Sequence, residues 1–443
     1  MLELLRLHGW NATSFQVLEP GFCYWFDGDD ACVAYVDTGG AWVAAGAPIA
    51  DVERLEPVAR GFVEAAQNAG RRVCFFAVEK RFVQRADLET LGIGQQPVWD
   101  SDQWNEVLRS SRSLREQLRR ARAKGVEVRE LSGTEAVDPS SPARRSVQLL
   151  IQRWSRSRSI APMGFLVALH PFSFAAERRY FVAEQGGQVF GFLAVAPVYG
   201  RGGWFFEDFL RDPAAPNGTI ELLVHHAMQS AAESGCHFVT LGLAPLAGDV
   251  NAWLTAVRDS SGGLYDFEGL RSFKAKLRPQ HWESIFVACP RGQTQLFTVV
   301  DVLSAFSRVG LFRFGLETLL RVPAVVVKTL AGLLVPWMAL LALAPVPGFF
   351  PSTGIKVAWI AFDAFLLVAL WVLGSRWRPR LATALALCVT ADATLTLLEV
   401  ILYNVPRAAG AWDVFALVVA VLAPTCAAVL LWRARLQRAG LPA

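Results

Sequence analysis

The sequence predicts a mixed α/β domain followed by a membrane domain built from four helices. Of its 443 residues, 53% are hydrophobic and 19% are charged, which is too apolar for a purely soluble protein and too charged for an all-membrane one. The composition also changes sharply near residue 320, because short apolar runs and frequent charges precede it and four long apolar segments follow it. Before residue 320, alternating runs typical of strands are interleaved with amphipathic runs typical of helices.

The first part of the chain repeats one order of predicted elements. Strands are predicted at residues 31–36, 41–45, 72–78, 180–184, 188–197, 203–208 and 237–242, and helices at 51–69, 113–124, 144–158 and 219–234. The order strand, strand, helix, strand therefore occurs twice, over residues 22–80 and 178–243, as it would in two fused acyltransferase domains of the GNAT type. We expect an α/β (α+β) tandem GNAT-like domain.

The predicted elements and the change in composition also suggest domain boundaries. The stretch Asp138-Pro-Ser-Ser-Pro142 is rich in turn-forming residues and is typical of a linker. We expect an N-terminal GNAT-like subdomain at 1–137, a C-terminal GNAT-like subdomain at 138–300, an amphipathic linker at 301–321 and a four-helix, all-α transmembrane domain at 322–443.

The four apolar segments predict membrane spans at residues 322–344, 357–373, 381–403 and 414–432. A helix of roughly 20 residues crosses the hydrocarbon layer. Three arginines lie in the loop 374–380 and three more in 432–438, so the positive-inside rule places both of these, and the first domain, in the cytoplasm. Asp363, Asp392 and Glu399 lie in or near the spans, either as functional groups or as partners in hydrogen bonds between helices.

Several common site signatures are missing from the sequence. The seven cysteines form no CxxC pair and have no histidine at ligand spacing, so we expect no structural zinc and no bound metal. The sequence contains no GxSxG elbow, no P-loop and no evident acetyl-CoA pyrophosphate loop, and we expect no cofactor. The first ten residues do not have the pattern of a signal peptide.

A cationic stripe is predicted on the helix near residues 109–129. Arg112, Arg115, Arg119 and Arg122 recur at helical spacing and therefore share one face. Such a face could bind RNA phosphates or anionic lipid headgroups, or it could simply be solvated.

Residues 264–282 crowd four cationic side chains between aromatic ones. Such a mixture suits an anionic, partly apolar substrate, and its cations could stabilise an oxyanion, hold a phosphate or form a basic surface near a bilayer. The members of the cluster are Tyr265, Phe267, Arg271, Phe273, Lys274, Lys276, Arg278 and Trp282.

Three shorter motifs precede this cluster. Asp208 and Arg211 could hold an amino group and a carbonyl or phosphate oxygen, or they could form a surface ion pair. The run from Pro216 to Glu221, with Asn217 and Gly218 in a tight turn, predicts a helix start that Thr219 caps and that could bind an anion. In the run 241–246, Gly242 and Pro245 are expected to open the edge of the sheet and shape a pocket.

These segments, in this order, resemble the catalytic domain of bacterial phosphatidylglycerol lysyltransferases (the multiple peptide resistance factor family) over roughly residues 15–290. Enzymes of that family move an amino acid from aminoacyl-tRNA onto a membrane lipid. The resemblance implies catalytic roles for Arg271, Lys274 and Lys276, and tRNA binding by Arg112, Arg115, Arg119 and Arg122. It implies substrate binding by Asp208, Arg211, Asn217, Gly218, Glu221, Gly242, Pro245, Tyr265 and Phe267.

The resemblance therefore leads us to expect an aminoacyltransferase in the inner membrane of a bacterium, with its catalytic domain in the cytoplasm. Its expected partners are aminoacyl-tRNA, a lipid acceptor such as phosphatidylglycerol or another glycerolipid, and the bilayer. Two alternatives remain open at this stage: an acyl-CoA-dependent N-acyltransferase acting on a membrane-associated amine, and a non-catalytic membrane-bound sensor of RNA or lipid. In the best-known family members a large multi-helix flippase domain precedes the catalytic domain, whereas here four predicted helices follow it.

Overall fold

The protein divides into two compact units, Met1–Leu311 and Phe312–Ala443. The structure, a computed structural model, describes residues 1–158, 161–248, 250–251, 254–255, 267–307, 310–344, 346, 350–408 and 410–438. The first unit is mixed α/β, and the second consists of apolar helices, as the sequence predicts.

One twelve-stranded sheet forms the framework of the first unit. Its order is β1-β2-β3-β4-β12-β5-β10-β9-β8-β7-β6, and β11 pairs with β5 beside this path. Neighbours are antiparallel except for β3–β4 and β9–β10, which are parallel. The strands are β1 (Cys23–Phe26), β2 (Cys32–Asp37), β3 (Ala41–Ala45), β4 (Arg72–Glu79), β5 (Glu89–Trp99), β6 (Glu127–Glu130), β7 (Arg179–Gln185), β8 (Gln188–Val198), β9 (Gly203–Arg211), β10 (Val239–Thr240), β11 (Ala244–Pro245) and β12 (His281–Cys289).

The helices of the first unit cover the sheet and begin at recognisable caps. Ser111 and Ser141 each accept a hydrogen bond from a backbone N–H of the first turn that follows, and Pro142 occupies the first turn of its helix, where no N–H is needed. The helices are α1 (Leu2–His8), α2 (Leu55–Asn68), α3 (Lys80–Val83), α4 (Trp104–Ser110), α5 (Arg112–Ala123), α6 (Gly133–Val137), α7 (Pro142–Ser157), α8 (Thr219–Glu233), α9 (Phe267–Lys276) and α10 (Gln295–Phe306), and α11 (Leu311–Arg321) leads into the second unit.

The repeated order of elements is confirmed. In the first half, β2 and β3 form an antiparallel pair, α2 follows, and β4 returns parallel to β3. In the second half, β8, β9, α8 and β10 repeat this arrangement, and β10 is parallel to β9. The tandem GNAT-like interpretation therefore describes the topology, whereas the subdomain boundaries at residues 137 and 300 remain a prediction.

Two strands absent from the prediction join the halves. Strand β12 comes from the end of the unit and lies between β4 and β5, antiparallel to both. Strand β5 then pairs with β10 of the second half. Arg201 adds a polar link, because its guanidinium donates to Glu79 of β4 at 3.2 Å and to Glu283 of β12 at 2.7 Å and 2.9 Å.

Among its described residues, the second unit contains four helices that are long and apolar enough to cross a membrane, as many as the sequence predicts. Their shared core includes Val327, Leu366 and Leu385. Trp359 donates its indole N–H to Glu399 at 3.0 Å, so Glu399 takes part in a hydrogen bond between two helices. The helices are α12 (Pro323–Leu343), α13 (Thr353–Ser375), α14 (Pro379–Glu399) and α15 (Ala411–Arg438), and the third span continues to Arg407.

Candidate active site

The site begins at a β-bulge in β9. Asp208 lies opposite Ala194 of β8, but Phe206 lies opposite the next residue, Val195, so Glu207 is the extra residue. A bulge bends the strand and re-aims its side chains. Here it brings two adjacent carboxylates, those of Glu207 and Asp208, within electrostatic range of the same arginine, Arg178.

Arg178 lies in a buried ionic cluster that spans the two halves. Its guanidinium donates to Glu19 of the first half at 2.8 Å and to Glu207 of the second half. The side chain of Arg178 is 0% exposed, and those of Glu19 and Glu207 are 2% and 4% exposed. Gln16 donates to Glu207 at 2.8 Å, and the Phe15 ring lies 5.0 Å from the guanidinium carbon. Three carboxylates thus surround one arginine, and the cluster has an excess of acidic groups.

This excess changes the protonation of the acids. Burial, reinforced by the nearby Glu207, raises the pKa of Glu19 to about 8 despite the pairing with Arg178. Burial and repulsion by Glu207 likewise raise the pKa of Asp208 well above its ordinary value. Within the described part of the chain, Oε2 of Glu19 has no hydrogen-bond partner. An added cation near Asp208 would favour the ionised form of both acids.

The second component is a gap that opens where β9 and β10 diverge. The two strands pair only at Trp204–Val239 and Phe205–Thr240, and the chain then crosses to β5, where Ala244 pairs with Gln95. Asp208 lies beyond the last paired residue of β9. Gly242, at the crossing, has φ +67°, and a Cβ there would meet the Phe205 ring at 2.7 Å. Gly242 therefore lies where the chain leaves β9 for β5, whereas Pro245 lies in β11 and pairs with Gly94 of β5.

Lys274 of α9 holds the crossing segment in place. Its ammonium group donates to the carbonyl oxygens of Leu241 and Gly242 at 2.8 Å and of Leu243 at 2.9 Å. The residue is 5% exposed, and burial lowers its pKa to about 7. Only the ammonium form can donate to three carbonyls, because the neutral amine has two N–H groups. The contacts describe a positioning residue, which differs from the direct catalytic role that the sequence predicts for Lys274.

The other predicted cations of α9 are exposed. The guanidinium of Arg271 lies 5.3 Å from the Trp282 ring centroid, which explains part of the aromatic interleaving in the sequence. Lys276 is exposed two residues beyond Lys274, and Phe267 begins the helix. Tyr265, predicted to bind substrate, lies outside the described residues. Arg271 and Lys276 can therefore meet a ligand directly, whereas Lys274 is already fully engaged.

The turn before α8 links the motif of Arg211 to the cationic helix. Arg211 donates to the carbonyl of Ala215 at 2.8 Å and to the side chain of Asn217 at 3.2 Å. Gly218 has φ +92°, and a Cβ at this position would lie 2.3 Å from the carbonyl oxygen of Gln117 in α5. Only glycine fits this approach without displacing α5.

The start of α8 differs in one detail from the sequence prediction. Gly218, and not Thr219, is the residue before the helix, and the Thr219 hydroxyl donates backwards to the Pro216 carbonyl at 2.7 Å. The predicted cap by the Thr219 side chain is therefore wrong. Glu221 is partly exposed in the first turn, where the helix dipole favours a carboxylate.

Helix α5 carries the predicted cationic stripe. Its inner face, which includes Leu114, Leu118 and Ala121, is buried in the core of the second half. The stripe faces outward, and each of its members is exposed: Arg112, Arg115, Arg119 and Arg122. Arg115 and Arg119 have protein partners, since Arg115 donates to the Leu108 carbonyl at 2.6 Å and Arg119 donates to Glu116.

Sequence reasoning identified Asp208 but missed the residues that set its charge. Glu19 and Arg178 are 159 positions apart. Nothing in their local sequence marks them as partners, because the pairing depends on how the two halves meet. The signal available in the sequence was Glu207, a polar residue next to Asp208 in an otherwise apolar strand.

The strand–strand–helix–strand order occurs twice, and in the second copy the bulged strand β9 diverges from its parallel neighbour β10. These features define a protein of the tandem GNAT-like class. A C-terminal module of apolar helices follows. The family described as "Phosphatidylglycerol lysyltransferase, C-terminal" has a model that matches residues 2–289. The chain belongs to this family, which confirms the resemblance carried by the sequence motifs.

Similarity to individual proteins agrees with this assignment. A phosphatidylglycerol lysyltransferase of Bacillus subtilis (strain 168) is 27% identical over 121 residues, which cover 26% of this chain and 14% of that protein. The match therefore spans about one seventh of the length of that relative.

Two solved structures share the fold. One is the C-terminal DUF2156 domain of a protein assigned as a lysylphosphatidylglycerol synthetase from Agrobacterium fabrum (TM-score 0.60, 21% identity, 70% of this chain and 97% of that one). The other is L-PGS from Bacillus licheniformis (TM-score 0.59, 22% identity, 69% of this chain and 96% of that one). At these identities the likeness establishes the fold of the first unit.

Proposed function

We propose that this protein transfers an aminoacyl group from aminoacyl-tRNA to a hydroxyl of a membrane glycerolipid, such as phosphatidylglycerol, at the cytoplasmic face of the bacterial inner membrane. The observation that carries the proposal is the family match over residues 2–289 in a chain that also has four apolar helices able to cross a membrane. The arginines of the loop 374–380 and of 432–438 support the cytoplasmic orientation.

The acidic cluster supports an aminoacyl donor. Every aminoacyl ester carries an α-ammonium group, and Asp208 is a partly exposed residue whose carboxyl group lies within electrostatic range of Glu19 and Glu207. A bound ammonium beside these acids would favour their ionised forms and pair with the resulting negative charge. Arg211, Asn217, Gly218 and Glu221 would shape the same end of the donor site.

The reaction needs no nucleophilic side chain, since an aminoacyl ester is already activated. The lipid hydroxyl oxygen attacks the ester carbonyl carbon, the bond between that carbon and the ribose oxygen breaks, and the hydroxyl proton passes to the departing ribose oxygen. Negative charge develops on the carbonyl oxygen during attack, and a fixed cation stabilises it. Arg271 and Lys276 are our candidates for this role because both are exposed. Lys274 acts through the crossing segment that it holds.

The stripe on α5 supports tRNA as the carrier of the donor. Helix α5, which carries the stripe, approaches the turn at Gly218 through the Gln117 carbonyl, and this turn would shape the donor site. Phosphate contacts by such arginines give an affinity that falls with salt.

The test is mass spectrometry of lipids from a host that expresses the full chain, the Asp208→Asn variant or the Asp102→Asn variant. Asp102 is an exposed carboxylate outside the site and serves as the matched control. We expect a new aminoacylated lipid with the wild type and the control that is absent with Asp208→Asn.

Incubation of the purified chain and lipid vesicles with labelled aminoacyl-tRNA or labelled acyl-CoA then identifies the donor. Transfer from aminoacyl-tRNA alone supports the proposal. Transfer from acyl-CoA, or from neither donor with folded protein, contradicts it and favours the N-acyltransferase or the sensor.

A further inference from the structure

Helix α10 (Gln295–Phe306) lies outside the family match, which ends at residue 289, and follows the last strand of the sheet. One of its faces is firmly docked on the first unit. Arg72 of β4 donates to both carboxylate oxygens of Asp301, at 2.6 Å and 2.8 Å, and Asp301 is 3% exposed. Phe306 packs against Phe76 and Phe165, with ring centroids 5.2 Å and 5.3 Å away.

The opposite face of α10 is apolar and uncovered. Its large side chains are exposed by 62% at Leu296, 54% at Phe297, 38% at Val300 and 51% at Leu303. At 100° per residue these positions fall within a sector of about 120°, so they form one stripe along the helix. A contiguous apolar stripe facing water is unfavourable, and it marks a surface that contacts another apolar phase.

We infer that α10 lies in the membrane interface and inserts this stripe into the boundary between headgroups and acyl chains of the bilayer. The chain itself supports a lipid occupant, because the first span begins at Pro323, 17 residues after Phe306. Because α11 takes up most of this stretch at about 1.5 Å per residue, the end of α10 lies at most about 40 Å from the start of the first span. The helix does not cross the membrane, since Asp301 fixes its other face to the protein.

The cations near the stripe fit the same position. The Arg72 guanidinium, which is paired with Asp301, lies 5.4 Å from the Phe297 ring centroid. Arg291, which precedes the helix, is 72% exposed and pairs with the exposed Asp87 at 2.5 Å. Arginines at the border of an inserted apolar surface extend toward headgroup phosphates, and anionic lipid strengthens such contacts. The inference stands without the proposed function, because it rests on α10, its flanking arginines and the apolar spans that follow. If correct, α10 holds the β3–β4 side of the first unit against the lipid surface.

The experiment uses the full chain in lipid nanodiscs that contain anionic lipid. The exposed cysteines, Cys23 and Cys426, are changed to serine, and Val300→Cys is labelled with an environment-sensitive fluorophore. A label at Leu149→Cys on α7 is the control, because Leu149 is an equally apolar residue, 54% exposed, on another helix. Quenching by nitroxide-labelled lipid and by aqueous iodide is measured for both labels.

We expect lipid nitroxide to quench the Val300→Cys label several-fold more than the Leu149→Cys label, and iodide to quench it less. Equal behaviour of the two labels would overturn the inference, because the stripe would then face water. A Val300→Cys label shielded from both quenchers would also overturn it, since protein, either a second copy or another segment of this chain, would then cover the stripe.

Discussion

The ammonium nitrogen of Lys274 lies 2.8 Å from the carbonyl oxygen of Gly242, and this contact ties α9 to the point where β10 leaves β9. Two further bonds, to Leu241 and Leu243, use the remaining N–H groups of the ammonium. The gap in the sheet beside Asp208 therefore depends on a buried cation that points at backbone and not at a ligand.

Lys274→Met is expected to destabilise the first unit by about 2–4 kcal/mol, because it leaves buried carbonyl oxygens without donors. Amide exchange of residues 239–246 should become faster as the crossing segment loosens. Lys276→Met, two residues on and exposed, is the control and should leave both stability and exchange close to wild type. If Lys274→Met abolished activity with unchanged stability and exchange, the lysine would instead act directly on the substrate, as the sequence suggested.

The sequence predicts a large part of this fold because most elements are defined locally. The strands β3 and β4 and the helices α2, α5 and α8 have strong periodicity, and the predicted ranges differ from the observed ones by only a few residues. Strand β5 was missed because it contains Gly92, Gly94 and Pro97, which disfavour strands in isolation. Its antiparallel pairing with β12, far along the chain, stabilises it.

In the candidate site, too, the residues that are defined locally were predicted and those that depend on distant pairing were missed. Asp208, Arg211 and the turn at Gly218 were found from motifs, because each motif is contiguous in sequence. The roles of Lys274 and Arg178 were not found from motifs. Lys274 points at three carbonyls and Arg178 lies between two glutamates, and both arrangements are defined only by the packed structure.

Arg178→Met should be strongly destabilising. It leaves Glu19 and Glu207 buried without their counter-charge, and breaking a buried pair in this way costs about 3–5 kcal/mol. Thermal unfolding of the purified chain measures the effect, and Arg60→Met is the control. Arg60 pairs with Glu56 on the surface, with 63% of its side chain exposed, and surface pairs contribute about 0–1 kcal/mol. Equal shifts in the two variants would contradict a structural role for the buried cluster.

Glu19 should make stability depend on pH between about 4.5 and 8. Its pKa is about 8 in the folded protein and near 4.5 when unfolded, so the folded state holds more protons between these values. The contribution of Glu19 to the free energy of unfolding is therefore fully present below pH 4.5 and is lost as pH rises through 8. Glu19→Gln, which still accepts from Arg178, should flatten the unfolding midpoint between pH 5 and 9. A wild-type slope that persists in Glu19→Gln would assign the effect to another group, Asp208 first.

Gly218→Ala and Gly235→Ala form a matched pair at the two ends of α8. Both glycines have positive φ, +92° and +68°, so alanine introduces comparable backbone strain of about 1 kcal/mol at each. Only at Gly218 would the new Cβ meet a backbone atom, the Gln117 oxygen at 2.3 Å, whereas nothing lies within 4 Å at Gly235. We expect Gly218→Ala to lower the unfolding midpoint clearly more and to weaken tRNA binding by displacing α5. Equal effects would show that the contact with α5 relaxes freely.

The proposed binding of tRNA by the stripe on α5 predicts an affinity that falls with salt. Replacing Arg112 and Arg122 by alanine removes two exposed cations, and each lost phosphate contact lowers the slope of log affinity against log salt by about one. The control replaces Arg60 and Arg85, two exposed arginines of the first half, and changes the net charge equally. Binding of a tRNA transcript to the detergent-solubilised full chain is measured across a salt series. A smaller slope in the stripe variant alone supports tRNA binding by α5, while the same change in both variants, or in neither, would leave the stripe as a solvated or lipid-facing surface.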